Sequence, residues 1–152
     1  MLVSKHIILG ILFSLIILAI FPTIGVFNAS LIFLASVLID FDHYLLYFMR
    51  TKKLNLKKAY FYWLKEHTRF YKSNKAKNVN RAQPQFIFHG IEFVLILIIL
   101  AFFFNFFFFI LLGVLFHLFL DYLDLYLKNQ SLHHKTSQIH LFIKNKKLTR
   151  VR

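Results

Sequence analysis

The chain has 152 residues, of which 59% are hydrophobic, 21 are Phe and none is Cys. Such a composition excludes most soluble globular proteins, and the lack of cysteine excludes disulfides and thiolate metal sites. The net charge of +13 comes from 19 basic and 6 acidic residues, and their placement along the chain is more informative than the total.

Four apolar runs are each long enough to cross a hydrocarbon core about 30 Å thick, which takes about 20 helical residues. The first has the basic start of a secretory signal, but no small-residue cleavage site follows it, so we predict a retained helix. The sequence therefore predicts a single all-α membrane domain over residues 1–152, an integral membrane four-helix bundle made of two antiparallel hairpins. Its helices are predicted at about 4–21, 29–48, 86–104 and 106–127.

A basic segment, residues 50–83, joins the two hairpins and contains the stretch LNLKKAYFYWLKEHTRFYK. Apolar and aromatic residues share one helical face of this stretch, which predicts an amphipathic helix lying on the membrane surface. Anionic lipid headgroups would attract residues 50–81 by about 1 kcal/mol per basic side chain. Anchoring of the membrane topology is the favoured explanation of these charges, and nucleic-acid contact is the least favoured. The face consists of Leu56, Tyr60, Trp63, His67 and Phe70.

The basic residues are distributed unevenly. Lys5 precedes the first run, eleven Lys and Arg lie between Arg50 and Arg81, and seven lie in the tail, residues 128–152. The connections FPTIGVFN and the turn at Asn105 have none. The positive-inside rule therefore predicts that both termini and the middle segment are cytoplasmic, in a cell membrane or inner membrane.

Ionisable side chains inside the apolar runs are the strongest functional signal. Each costs about 2.5–3.5 kcal/mol at the centre of a bilayer on insertion scales, so such groups usually serve a function. Lys and Arg are absent from residues 6–49 and 82–127, which leaves protons, imidazolium or metal ions to neutralise the carboxylates. The groups are Asp40, Asp42, Glu92, Asp121 and Asp124, with His6, His43, His89 and His117.

The spacing of these residues favours a metal site. Three pairs have the i, i+3 or i, i+4 spacing of one helical face, and Asp42 lies about 200° round from Asp40 in an ideal helix. Counted from the turns at Pro22, Asn28 and Asn105, the donors of all four runs lie at one depth, about 18–24 Å from the outer surface. Oxygen and nitrogen donors suit a divalent metal, with Zn²⁺ favoured and Mn²⁺ or Fe²⁺ as alternatives. The pairs are Asp40 with His43, His89 with Glu92, and His117 with Asp121.

The alternative for any single residue is an ordinary hydrogen bond between helices. It accounts less well for three pairs at matching depth on separate runs. His133, His134 and His140 lie in the basic tail, where solvated histidines are common, and we do not predict a ligand role for them.

The motifs KHIILG, IDFDHY, FHGIEF and GVLFHLFLD occur in this order over most of the chain. Together they resemble the YdjM-type (LexA-binding) membrane-bound metal-dependent hydrolases. The chain departs from that pattern at Ile39, where the family usually has Pro, and in the third motif, which usually has two histidines and here has His89 with Glu92. The same residue types are similar, over shorter patterns, to the zinc phospholipase C and P1 nuclease group. Both resemblances imply hydrolysis.

The sequence thus predicts a metal-dependent hydrolase of phosphate esters, with a lipid or another anionic substrate. A metal acidifies bound water and polarises a phosphoryl oxygen, and a carboxylate can act as general base; Glu92 and Asp42 are the predicted bases. A divalent-metal or proton transporter is the first alternative, and a non-catalytic protein with a structural metal and nucleic-acid-binding or partner-binding segments is the second. The predicted metal ligands are His6, Asp40, Asp42, His43, His89, Glu92, His117 and Asp121.

Overall fold

The computed structural model describes residues 3–75, 85–129 and 137–150. These ranges contain no β-strand, which confirms the all-α prediction. His133 and His134 lie outside the described residues, as do residues 76–84 at the end of the basic segment and the side chains of His67 and Phe70. The α-helices are α1 (Val3–Ile20), α2 (Gly25–Leu38), α3 (Phe41–Thr51), α4 (Leu56–Lys75), α5 (Ile91–Phe103), α6 (Asn105–Leu127) and α7 (Gln138–Arg150).

The packing centres on α2 and α6. Helix α2 packs against both α1 and α6, and α6 also packs against α5. A 3₁₀ turn over Pro22–Ile24 links α1 to α2. Gly25 follows this turn with φ of +72°, a backbone angle that only glycine adopts without strain. Phe104 alone separates α5 from α6 and has an extended backbone. The two short connections place α1 beside α2 and α5 beside α6.

Two predicted helices are interrupted, and both interruptions occur beside ionisable residues. The predicted helix 29–48 breaks at Ile39 and Asp40, where the amides of Asp40 and His43 bond to carbonyls three residues back, at 3.2 and 3.0 Å. This tightened turn separates α2 from α3 and changes the direction of the side chains that follow. The predicted helix 86–104 begins with a 3₁₀ turn, Ile87–His89, and an extended Gly90 before α5.

Close approach of α6 to α2 depends on Gly113. A β-carbon at this position would lie 2.3 Å from the carbonyl oxygen of Ile32 and 2.8 Å from the β-carbon of Ala35. No side chain fits there, so glycine lets the two backbones approach closely. One turn further along α6, His117 reaches the backbone of Ser36 on α2.

The outer helices α4 and α7 contact the end of the structure that carries the ionisable groups. Helix α4 packs against α3, and the indole N–H of Trp63 donates to the carbonyl of His43. Helix α7 lies against the start of α5, where the side-chain oxygen of Gln138 accepts a hydrogen bond from the amide of Phe86 at 2.9 Å. Both helices therefore lie beside the ionisable groups, outside the packing of α1, α2, α5 and α6.

Two helical stretches within the described part of the chain are long and apolar enough to cross a membrane: Pro22–Thr51 and Asn105–Leu127. Helices α1 and α5 are apolar but shorter. Large apolar side chains cover much of the surface of all four, and examples are Ile8, Leu15, Phe102 and Phe108, with Phe102 86% exposed.

Candidate metal centre

Histidine and aspartate side chains from separate parts of the chain meet in one buried cluster. His6 comes from α1, Asp40 from the break between α2 and α3, and His89 from the end of the 3₁₀ turn before α5, while His117 and Asp121 come from α6. The exposed fractions of His6, His89 and His117 are 1%, 0% and 0%. These five residues and His43 form three overlapping groups of three. Within each group, the ligand atoms all lie within 4.8 Å of one another. The arrangement can hold a metal ion.

At the centre of the cluster, Asp40 and Asp121 each place one oxygen close to the Nε2 atoms of both His89 and His117. The Nε2 atoms of His89 and His117 are 3.2 Å apart. Asp40 Oδ1 lies 3.5 and 3.6 Å from them, and Asp121 Oδ2 lies 3.7 and 3.6 Å from them. Ligand bonds of about 2.0–2.1 Å in a tetrahedron put the donors about 3.3–3.4 Å apart. We call these atoms the four-donor group.

Hydrogen bonds on the far side of both central rings fix which nitrogens carry protons. His117 Nδ1 is 2.7 Å from the carbonyl oxygen of Ser36, and His89 Nδ1 is 2.9 Å from Asp42 Oδ2. Both partners are acceptors, so each Nδ1 donates and each Nε2 presents a lone pair. Two lone pairs at 3.2 Å beside two carboxylates repel one another. A cation between them, a metal ion or a proton, removes that repulsion.

Asp42 lies behind His89 and orients it. Its Oδ2 accepts hydrogen bonds from His89 Nδ1 at 2.9 Å and from the amide of Phe88 at 3.3 Å. Its Oδ1 accepts from His43 Nδ1 at 2.8 Å. A carboxylate that bonds to the outer nitrogen of a ligating histidine is a recurrent element of metal sites. Both oxygens of Asp42, which the sequence predicts as a ligand and base, are bonded to protein groups.

We expect Asp42→Asn to lower metal affinity by about 10–100-fold without changing the number of ions bound at saturation, because loss of such an orienting carboxylate weakens ligation but leaves the ligands present. Isothermal titration of metal-free protein would measure the affinity, and elemental analysis would measure the saturated content. A change in saturated content alone would assign Asp42 to direct ligation instead.

His43 is the most exposed of the cluster histidines, with 27% of its side chain accessible. Its Nδ1 lies 3.5 Å from Asp40 Oδ1 as well as next to Asp42. The ring stacks on Phe86 with centroids 4.1 Å apart and meets the edge of Trp63 at 5.3 Å. His43 therefore lies between the buried donors and two aromatic side chains, Phe86 and Trp63 of α4.

Glu92 and Asp124, which the sequence placed among the candidates, have other partners. The Glu92 carboxylate accepts hydrogen bonds from the Ser137 hydroxyl at 2.5 Å and from the amides of Gln138 and Ile139 at 3.1 and 3.2 Å. It thus binds the start of α7, where a negative charge is favourable. Asp124 lies 2.7 Å from Lys128 Nζ. Neither belongs to the three donor groups found among the described residues.

Several supporting residues carried no signal in the sequence. The carbonyl of Ser36 and the indole of Trp63 act through bonds between segments distant in the chain, which helical spacing does not reveal. His140 is exposed on α7. No family model, curated protein or solved structure matches this chain.

Proposed function

We propose that the chain is a membrane-embedded, metal-dependent hydrolase of phosphate esters. The observation that carries the proposal is the pair of histidine Nε2 atoms 3.2 Å apart, His89 and His117, flanked by two aspartates. Divalent metals bind such mixed imidazole and carboxylate sets, and zinc is favoured over manganese or iron because both central donors are nitrogen.

Membrane embedding is supported by the surface of the helices. A soluble protein rarely exposes contiguous apolar patches of this kind, whereas lipid tails solvate them. The lack of Lys and Arg at residues 6–49 and 82–127 matches the interior of a bilayer. With the basic segments on the cytoplasmic side, the four-helix membrane bundle would carry the donor cluster in its cytoplasmic half, with both termini cytoplasmic.

The hydrogen bonds of the cluster suit it to bind a metal in one fixed geometry. Ser36 and Asp42 hold the rings of His117 and His89 so that both Nε2 atoms face one point. A bound divalent ion supplies Lewis acidity towards a phosphoryl oxygen and acidifies water. Because burial limits the access of bulk water, charges within the cluster interact more strongly than at a surface.

We assign proton transfer to His43. Asp42 accepts a hydrogen bond from His43 Nδ1 at 2.8 Å, which leaves Nε2 of that ring as a proton acceptor. The greater exposure of His43 suits exchange of the proton with solvent. Histidine is also the side chain whose ordinary titration range lies nearest neutral pH.

The charge around the site supports an anionic substrate. Helix α4 binds the backbone of His43 through Trp63 and also carries Lys57, Lys58 and Lys65. Anionic headgroups or other phosphate-containing molecules would be concentrated at such a basic, aromatic surface. Helix α4 therefore provides a route by which an anionic ester could approach the donor cluster.

The proposal is tested with protein purified in detergent, stripped with chelator and reloaded with Zn²⁺ or Mn²⁺. Hydrolysis of p-nitrophenyl phosphate, bis(p-nitrophenyl) phosphate and phosphatidic acid in mixed micelles would be measured. We expect metal-dependent activity that falls at least about 100-fold in His89→Ala, since a ligand and its orientation are lost. Ser30→Ala, an exposed change near the opposite turn, should retain activity.

Activity that survives chelation, or equal activity in His89→Ala, would contradict the hydrolase assignment. Uptake of metal into proteoliposomes that depends on His89, without hydrolysis of any of the three esters, would replace the hydrolase by a transporter that uses the same ligands.

A further inference from the structure

Asp40, Asp121 and His6 hold three further donor atoms outside the four-donor group. Asp40 and Asp121 each contribute one oxygen to that group and retain a second, Oδ2 and Oδ1 respectively. The third is Nε2 of His6, which lies 3.3 Å from Asp121 Oδ1. His6, Asp40 and His117 offer ligand atoms that all lie within 4.8 Å of one another.

His6 is buried without a hydrogen bond among the described residues. Only 1% of it is exposed, and neither Nδ1 nor Nε2 has a hydrogen-bond partner. Asp40 Oδ2 is likewise buried and lacks one. A buried polar group left unsatisfied costs about 1–3 kcal/mol. A buried imidazole and a buried carboxylate oxygen that both lack a hydrogen bond indicate a missing partner with positive charge.

The ring of His6 is already held in place for ligation. It stacks on the ring of His117, with centroids 3.9 Å apart and an angle of 16° between the planes. This contact orients the ring so that Nε2 lies 3.3 Å from Asp121 Oδ1.

We infer that the cluster holds two divalent cations, the second bound by His6 Nε2, Asp40 Oδ2 and Asp121 Oδ1, so that both aspartates bridge the ions. The inference rests on the proposed function and deepens it. Carboxylate-bridged pairs of ions about 3.5–4 Å apart recur in enzymes that cleave phosphate esters, where they clamp the attacking and leaving oxygens.

The two positions differ in the number of protein donors. The first ion has four, as closed structural sites do, whereas the second has three, the number typical of catalytic zinc. The ion bound by His6 therefore has a coordination position that none of the described residues fills. The positive charge of two divalent cations also exceeds the negative charge of Asp40, Asp42 and Asp121. This excess favours an anionic substrate over a neutral ester.

The test is the number of ions per chain in full-length protein, measured by elemental analysis after equilibrium dialysis against Zn²⁺ and, separately, Mn²⁺. We expect two ions in the wild type and one in His6→Phe, which keeps a ring to stack on His117 but removes both nitrogens. His6→Ala should also bind one. His140→Phe makes the same change at an exposed histidine and should bind two. Circular dichroism and gel filtration would establish that each variant is folded.

Electron paramagnetic resonance of the Mn²⁺ form gives a second readout. A carboxylate-bridged pair should show exchange coupling in the wild type and an uncoupled signal in His6→Phe. One ion per chain in both proteins would overturn the inference and leave the proposed function standing, whereas no ion in the wild type would overturn both. Two ions, or none, in folded His6→Phe would overturn the assignment of His6 to a separate ion.

Discussion

Replacing Asp121 with alanine is expected to abolish metal binding, whereas the same change at Asp124 should leave the metal content unchanged. The two aspartates lie three residues apart on α6, so the pair is closely matched. Asp121 is 2% exposed, and its Oδ2 lies 3.6 Å from the Nε2 of His117. Asp124 instead lies 2.7 Å from Lys128 Nζ.

The effect at Asp121 should be large because both of its oxygens face donor atoms of the cluster. Removing them takes away the negative charge that offsets the bound cation and one ligand of each proposed ion. We expect affinity to fall by at least about 1,000-fold, which is about 4 kcal/mol. Competition with a chromophoric chelator would measure it. Full metal content in Asp121→Ala, or equal losses in both variants, would refute this placement of the site.

Gly113→Ala is expected to lower stability by about 1–3 kcal/mol, the usual cost of overpacking a tight contact, and to weaken metal binding as well. The added β-carbon would lie 2.3 Å from a backbone carbonyl of α2, which cannot rotate away. Helix α6 must therefore shift, and His117 loses its 2.7 Å hydrogen bond to Ser36.

Gly10→Ala provides the matched comparison. Its β-carbon would meet the hydroxyl of Ser36 at 2.4 Å, a side-chain atom whose displacement costs one 2.7 Å hydrogen bond to the carbonyl of Phe33. Alanine also has a higher helix propensity than glycine by about 1 kcal/mol, which offsets part of the cost. We expect Gly10→Ala to be nearly neutral in denaturant unfolding in detergent. A larger loss of stability or metal affinity at Gly10 than at Gly113 would contradict this account of the α2–α6 contact.

Helical spacing predicted the cluster where the helices are regular. His117 and Asp121 are four residues apart on the unbroken α6, and the structure brings them to 3.6 Å. Asp40 and His43 also lie 3.5 Å apart, although the helix breaks at Asp40, because the 3.0 Å backbone bond of the tightened turn keeps them together. Matching depth also predicted that donors from separate helices would meet.

Helical spacing failed where the backbone departs from a helix. His89 and Glu92 do not share a helical face, because Gly90 between them has an extended backbone, with φ of −98° and ψ of 158°. The predicted pair therefore separates, with His89 in the cluster and Glu92 at the start of α7. Asp42, about 200° from Asp40 in an ideal helix, bonds both His89 and His43 because the turn at Ile39 and Asp40 interrupts that helix.

The bond between His117 and Ser36 also bears on the order of events during synthesis. It joins residues 81 positions apart, and the ligands are distributed from His6 near the start of the chain to Asp121 on α6. During translation, the ribosome must therefore release most of the polypeptide before the site can close. A nascent chain that ends before α6 lacks His117 and Asp121, and with them two of the donors that meet in the cluster.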